Sequence, residues 1–155
     1  MSGTRVGADD GRLTTELAAS LEPHLQDALN HPLRREILRV LRTGEGSRGV
    51  TAILGGLAPL SRSEVSYHLE ILRRSDVVVL DDVRPGPAGG ERFYESTVRE
   101  DAQVAAALRA TAAFDREHRE ARRADRSSRL LTMFRVPKPV RTLRLGLDAG
   151  SGTER

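Results

Sequence analysis

The sequence predicts a mainly α-helical fold with one small β-hairpin and a long C-terminal helix, and three stretches carry that prediction. Ser61–Arg74 has the pattern of a capped, two-faced helix. Val77–Leu80 and Glu91–Ser96 have the pattern of two strands around the Pro/Gly-rich loop Arg84–Gly90. After Thr97 come about 28 residues rich in strong helix formers.

Composition bounds what such a chain can do. Its 155 residues, 38% of them apolar, allow one modest core. Two tyrosines, three phenylalanines and no tryptophan leave that core to aliphatic side chains and argue against single-strand binding on aromatic platforms. The formal charge is +3 and the sequence pI about 10.1, with Lys138 the sole lysine. Arginine favours phosphate and guanine contacts, although a genome of high G+C content produces the same bias without a functional cause. The absence of cysteine excludes disulfides, thiolate metal sites and thiol redox sensing. No segment has signal-peptide or membrane-span length, so a cytoplasmic protein is expected.

In chain order, residues 1–12 are small and charged without periodicity and form an expected flexible N-terminus. Leu13, Leu17 and Leu21 keep helical spacing, and Pro23 opens a second helical segment with Leu25, Ala28 and Leu29. Asn30-His31-Pro32 is a boundary, because the residue before proline avoids helical angles while proline suits a first helical turn. A core helix then carries Leu33, Ile37, Val40 and Leu41 inward, with Arg34, Arg35, Arg39 and Arg42 mostly on its surface and Gly44 as its stop. Gly44–Gly49 lacks both the preceding strand and the following Gly-Lys-Ser/Thr of a phosphate loop, and is an expected plain loop. A short helix over Val50–Leu54 and a turn through Gly55–Leu60 lead to Ser61.

There Ser61 and Glu64 make a capping box. At 100° per residue Val65, Leu69 and Leu72 share one sector, with His68 and Ile71 at its edge, while Arg62, Ser63, Ser66, Glu70, Arg73 and Arg74 lie opposite. Short hydroxyls and guanidinium forks on an outward face suit the DNA major groove. The plain alternative is an amphipathic helix whose polar face is merely solvated. Short helix, turn and capped helix is the order of a helix-turn-helix, and a hairpin directly behind it is a wing. Arg84 and Arg92 flank the wing tip as phosphate ligands, whereas Asp81 and Asp82 would repel phosphate and are expected to face away. His68, at the edge of the buried stripe, is read as partly buried and hydrogen-bonded ahead of a DNA contact.

Residues 13–96 thus make one winged helix-turn-helix domain. Thr97 and Glu100 repeat the capping-box pattern and start an expected helix over 97–126, whose alanine-rich stripe, with Val104, Ala105, Leu108 and Ala112, suits dimerisation. Residues 127–155 form an expected basic, largely disordered tail, with a small apolar cluster of Leu130, Leu131, Met133 and Phe134.

Three segments, Leu29–Leu41, Val65–Leu72 and Glu91–Ser96, resemble the successive signatures of ArsR-type winged-helix regulators, in particular an actinobacterial branch with a His-Pro-Leu-Arg start and a Val-Ser-Tyr-His recognition helix. The resemblance covers about residues 22–98. It implies a homodimeric DNA-binding transcriptional regulator, often a repressor, with Arg62, Ser63, Ser66, Tyr67 and Arg74 in the major groove and the wing at Arg84–Arg92. Metal-sensing relatives use cysteine clusters or His/Asp sets on the terminal helix. Here only Asp115 and His118 stand on that helix at a loose spacing, so metal sensing is not carried over. His24 and His31 lie seven residues apart, and the helix break with Pro32 next to His31 makes a shared metal improbable, so they are not read as a metal pair.

The expected partner is therefore double-stranded DNA bound as a homodimer on an inverted repeat, with no cofactor and no metal. No catalytic constellation can be assembled. The alternative is a winged-helix protein-interaction module without DNA binding, for which Glu64, Glu70, Asp81 and Asp82 speak. Any effector is unknown from the sequence.

Overall fold

The computed structural model describes residues 11–57, 59–87 and 89–133. They form, in order, α1 (Thr15–Ala19), α2 (Pro23–Leu29), α3 (Pro32–Thr43), β1 (Arg48–Gly49), α4 (Val50–Leu57), α5 (Arg62–Arg74), β2 (Val78–Gly86), β3 (Gly89–Ser96), α6 (Ala102–Ala110) and α7 (Ala112–Met133). The fold is mostly helical with a small antiparallel sheet, in a winged helix-turn-helix arrangement.

Local chemistry sets the helix starts. Pro23 and Pro32 occupy the first turns of α2 and α3, and His31 Nδ1 accepts from Leu33 N–H at 3.1 Å. Helix α5 opens on the complete capping box: Ser61 Oγ accepts from Glu64 N–H, and Glu64 accepts from Ser61 N–H. It closes on a Schellman turn, with Val77 N–H donating to Leu72 O and Asp76 N–H to Arg73 O, and Asp76 in the left-handed region at φ 57°. Leu72 and Val77 are both fully buried, so the turn that stops the helix also packs the first strand onto it.

Helix α3 is the centre of the core. Ile37, Leu38 and Leu41 meet Ile53 and Leu57 of α4 and Val65, Leu69 and Leu72 of α5, all without solvent contact or nearly so. Helix α4 runs to Leu57, beyond the expected end at Leu54. Leu57 lies one turn past Ile53 and buries beside it, which outweighs two glycines in the helix at about 1 kcal/mol each. At Gly56 a Cβ would sit 3.2 Å from Val40, so the glycine also lets α4 approach α3 closely.

The sheet has the order β1-β3-β2. Its hairpin strands run through most of the stretch expected as loop, pairing Arg84 with Glu91 and Gly86 with Gly89. Pro85 is tolerated because β2 is an edge strand, and Gly89 takes a φ of 107° that disfavours other residues. Leu80 opposes Tyr94 and Asp82 opposes Phe93, which makes Asp81 the extra residue of a bulge. Arg48 and Gly49, expected as loop, pair with Tyr94 and Phe93 and add the third strand.

Two expectations for the C-terminal half are corrected. Thr97–Glu100 does not cap a helix; those residues form turns, and Asp101 caps α6 by accepting from Val104 N–H at 3.0 Å. The expected single helix is divided at Thr111, whose hydroxyl donates back to Ala107 O at 2.9 Å, and α7 then continues to Met133. Residues 127–133 of the expected tail are thus helical. The remainder of the tail, with Phe134, and residues 1–10 lie outside the described residues.

Arg35, expected on the α3 surface, is instead fully buried. Its Nε donates to both Asp115 oxygens at 3.1 and 2.9 Å, and its Nη1 donates to Gly11 O and Leu29 O at 2.8 Å each. Arg39 adds a 2.6 Å ion pair to the same carboxylate. The fork that matches carboxylate geometry is what makes this burial tolerable, and it bolts α7 to α3.

Candidate nucleic-acid interface

Helix α5 is fixed from behind by Val65, His68, Leu69 and Leu72, all buried. Its opposite face is open: Arg62, Ser63, Ser66, Tyr67, Arg73 and Arg74 are all exposed, with Tyr67 at 64%. Arg84 and Arg92 are exposed on the wing. Every residue expected to touch DNA thus lies on an accessible surface of α5 or the hairpin.

Their surroundings differ. Arg62 donates from Nη2 to Thr51 Oγ1 at 2.8 Å, tying the start of α5 to the start of α4. Thr51 N–H in turn donates to Glu91 Oε1 of β3 at 2.9 Å. Hydrogen bonds from the Thr51 side chain and backbone hold the Glu91 carboxyl below its usual range. Arg73 and Arg74 both reach back to Glu70, at 2.8 and 3.3 Å. The Arg73 hydrogen bond is the main reason that Glu70 is pulled down to about 2. Arg84 donates to Asp82 at 2.8 Å and lies 4.1 Å above the Phe93 ring, a cation–π contact.

The outward face is consequently balanced. Arg62, Arg73 and Arg74 of α5 stand beside Glu64 and Glu70, and on the wing Arg84 shares a hairpin face with Asp82 and Glu91 while Arg92 stands on the other. Glu64 is occupied by the capping box, and its carboxyl is held low chiefly by the Ser61 backbone hydrogen bond. Asp82 is matched within the wing by Arg84.

His68 is buried, but its Nδ1 has no hydrogen-bond partner among the described residues. It packs against rings instead: the His31 centroid at 4.5 Å and the Tyr67 centroid at 5.2 Å, edge-on. Burial lowers the pKa of His68, with Arg34 adding to it, and burial followed by His68 takes His31 down to about 4. Two neutral imidazoles can therefore sit in contact behind the exposed Tyr67.

The residues expected at a dimer contact are divided. Val104 and Leu108 are buried in the chain's own core, whereas Ala105 and Ala112 stay partly exposed. Exposed apolar side chains gather further along, at Leu130, Leu131 and Met133 of α7.

Glu70 was expected on the outward face, but its pairing was not, although it stands three and four residues before Arg73 and Arg74. Two participants were not singled out from sequence. Thr51 and Glu91 meet across 40 positions, with no local signal for the contact. Among the described residues no group of three or more His, Asp or Glu could hold a metal ion, and no helix is long and apolar enough to cross a membrane.

A family model described as a helix-turn-helix domain matches residues 29–81, which span α3, α4, α5 and the start of β2. No curated protein and no solved structure matches the chain. The chain therefore carries a helix-turn-helix domain, in which α4 and α5 are the two helices joined by the turn and the β2–β3 hairpin is the wing behind them.

Proposed function

We propose that the protein is a sequence-specific DNA-binding transcriptional regulator that places α5 in the major groove and the β2–β3 wing on the adjacent backbone. The observation that carries this is the division of α5 into a fully packed face and an open one made of Arg62, Ser63, Ser66, Tyr67, Arg73 and Arg74. Serines reach base edges, arginine forks reach guanine or phosphate, and Tyr67 offers a hydroxyl on a rigid ring. It acts as a homodimer, and as a repressor where its operator overlaps a promoter. Ala105, Ala112 and the exposed apolar end of α7 form the dimer contact, with Val104 and Leu108 supporting it from inside. Two copies of α5 then read half-sites about 34 Å apart.

The test is selection of bound duplexes from a random pool at two salt concentrations. Enrichment of an inverted repeat, with affinity that falls steeply as salt rises, is the expected result. Sequence-blind binding or none would remove this function. The second reading is then a winged-helix module that binds another protein. The carboxylates that accompany the arginines of α5 and the wing, Glu70 beside Arg73 and Arg74 and Asp82 beside Arg84, favour it.

A further inference from the structure

One carboxylate makes a polar contact between the wing and the helices. Glu91 stands on β3, opposite Arg84 of β2 in register, yet Arg84 is held by Asp82. Glu91 turns to α4, where its Oε1 accepts from Thr51 N–H at 2.9 Å. The Thr51 hydroxyl oxygen accepts from Arg62 Nη2 at 2.8 Å. One residue in the first turn of α4 thus holds the guanidinium of α5 with its side chain and the carboxylate of the sheet with its backbone. The backbone makes room for it at Gly49, where a Cβ would lie 2.8 Å from Glu91 Oε1 and 3.2 Å from the Phe93 ring.

We propose that Glu91 is a positioning residue for DNA specificity: through Thr51 it locks the wing to both helices of the helix-turn-helix and pre-sets the direction of Arg62. This rests on the DNA-binding function proposed above. Arg62 is a long, flexible side chain at the first turn of α5, and holding it in one geometry before binding lowers the ordering cost of a specific contact. Non-specific contact with phosphates needs no such geometry. The lock therefore acts on the ratio of specific to non-specific affinity.

The test uses the full chain, the duplex enriched from the random pool, and a scrambled duplex of equal length. Glu91→Ala is expected to lower the specific to non-specific ratio about ten-fold. Glu91→Gln, whose amide oxygen still accepts from Thr51 N–H, lowers it less, which a purely charge-based role would not produce. Adding Glu91→Ala to Arg62→Ala brings no further loss, because Glu91 acts on the ratio only through Arg62. An unchanged ratio in Glu91→Ala, or full additivity in the double variant, overturns the proposal; where Glu91→Ala does not fold, Glu91→Gln carries the comparison.

A readout without DNA separates this proposal from the function it rests on. In the wild-type chain the Thr51 amide proton shift should follow Glu91 ionisation, with a midpoint below the usual carboxylate range, and should lose that titration in Glu91→Gln. If the pool yields no enriched duplex while Thr51 titrates, the DNA-binding function fails and the lock stands as a contact between wing and helices. A flat Thr51 shift overturns the lock itself.

Discussion

His31 and His68 hold their rings 4.5 Å apart at the junction of α3 and α5. His31 caps α3 through Nδ1, which must be unprotonated to accept from Leu33 N–H, and His68 lies directly behind the exposed Tyr67. The stack joins a helix cap to the back of the proposed DNA-contacting face, and both depend on neutral imidazoles.

That dependence predicts acid sensitivity. The folded-state pKa of His31 lies near 4, below its value of 6.5 when unfolded, mainly through burial. The unfolded chain therefore takes up the proton first as pH falls. The His31 contribution is fully present above about pH 6.5 and is lost progressively as pH falls through about 4. Denaturant melts across this window should show the loss. His31→Asn can still cap α3 but does not titrate, and it should flatten the curve. An equal slope in wild type and variant would assign the acid sensitivity to other groups.

Asp115 predicts a large loss on removal. Its carboxylate holds the fully buried Arg35 and the partly buried Arg39, so Asp115→Ala leaves a guanidinium without its counter-charge in the core. The expected cost is about 3–5 kcal/mol, measured by urea denaturation. Replacing both partners, as in Arg35→Met with Asp115→Leu, should recover much of it. A cost below about 1 kcal/mol for Asp115→Ala would mean that solvent reaches the pair.

Asp76 predicts a gain. It holds φ at 57° in the Schellman turn that ends α5, a conformation that glycine adopts without steric cost. Asp76→Gly should raise stability by about 0.5–1 kcal/mol, the backbone strain relieved exceeding the extra entropy of the unfolded chain. A neutral or negative change in the melting curve would show that aspartate is at ease there.

These three sites also show what could be read from the sequence and what could not. Pro32 and the Ser61–Glu64 box act on neighbours within one helical turn, so the starts of α3 and α5 were legible, as was the outward face of α5 through its 3.6-residue period. Arg35 was not, because its partner is 80 positions away and an arginine at that spacing looks like any surface residue. The two-residue strand β1 has no period to detect. The division of α6 from α7 at Thr111 follows from tertiary packing around Arg39, which donates to Leu108 O and Thr111 Oγ1. Of the candidate interface, the exposure of the α5 arginines and serines was legible from their period, and the pairing of Thr51 with Glu91 was not.

Glu70 gives the prediction that bears most directly on the interface. Its carboxylate holds Arg73 through two hydrogen bonds and Arg74 through one, which neutralises part of the charge that the last turns of α5 could offer phosphate. Glu70→Gln weakens that hold without changing size, so both guanidinium groups turn more freely and the local charge rises by one. Duplex affinity should increase several-fold and its dependence on salt should steepen, since more counterions are released per protein bound. The increase should be similar on the selected and scrambled duplexes, because phosphate contacts carry no base information. If Glu70→Gln instead improves only the selected duplex, Arg73 or Arg74 reads bases directly; if it changes neither, this end of α5 lies away from DNA and the contact is confined to Arg62, Ser63, Ser66, Tyr67 and the wing.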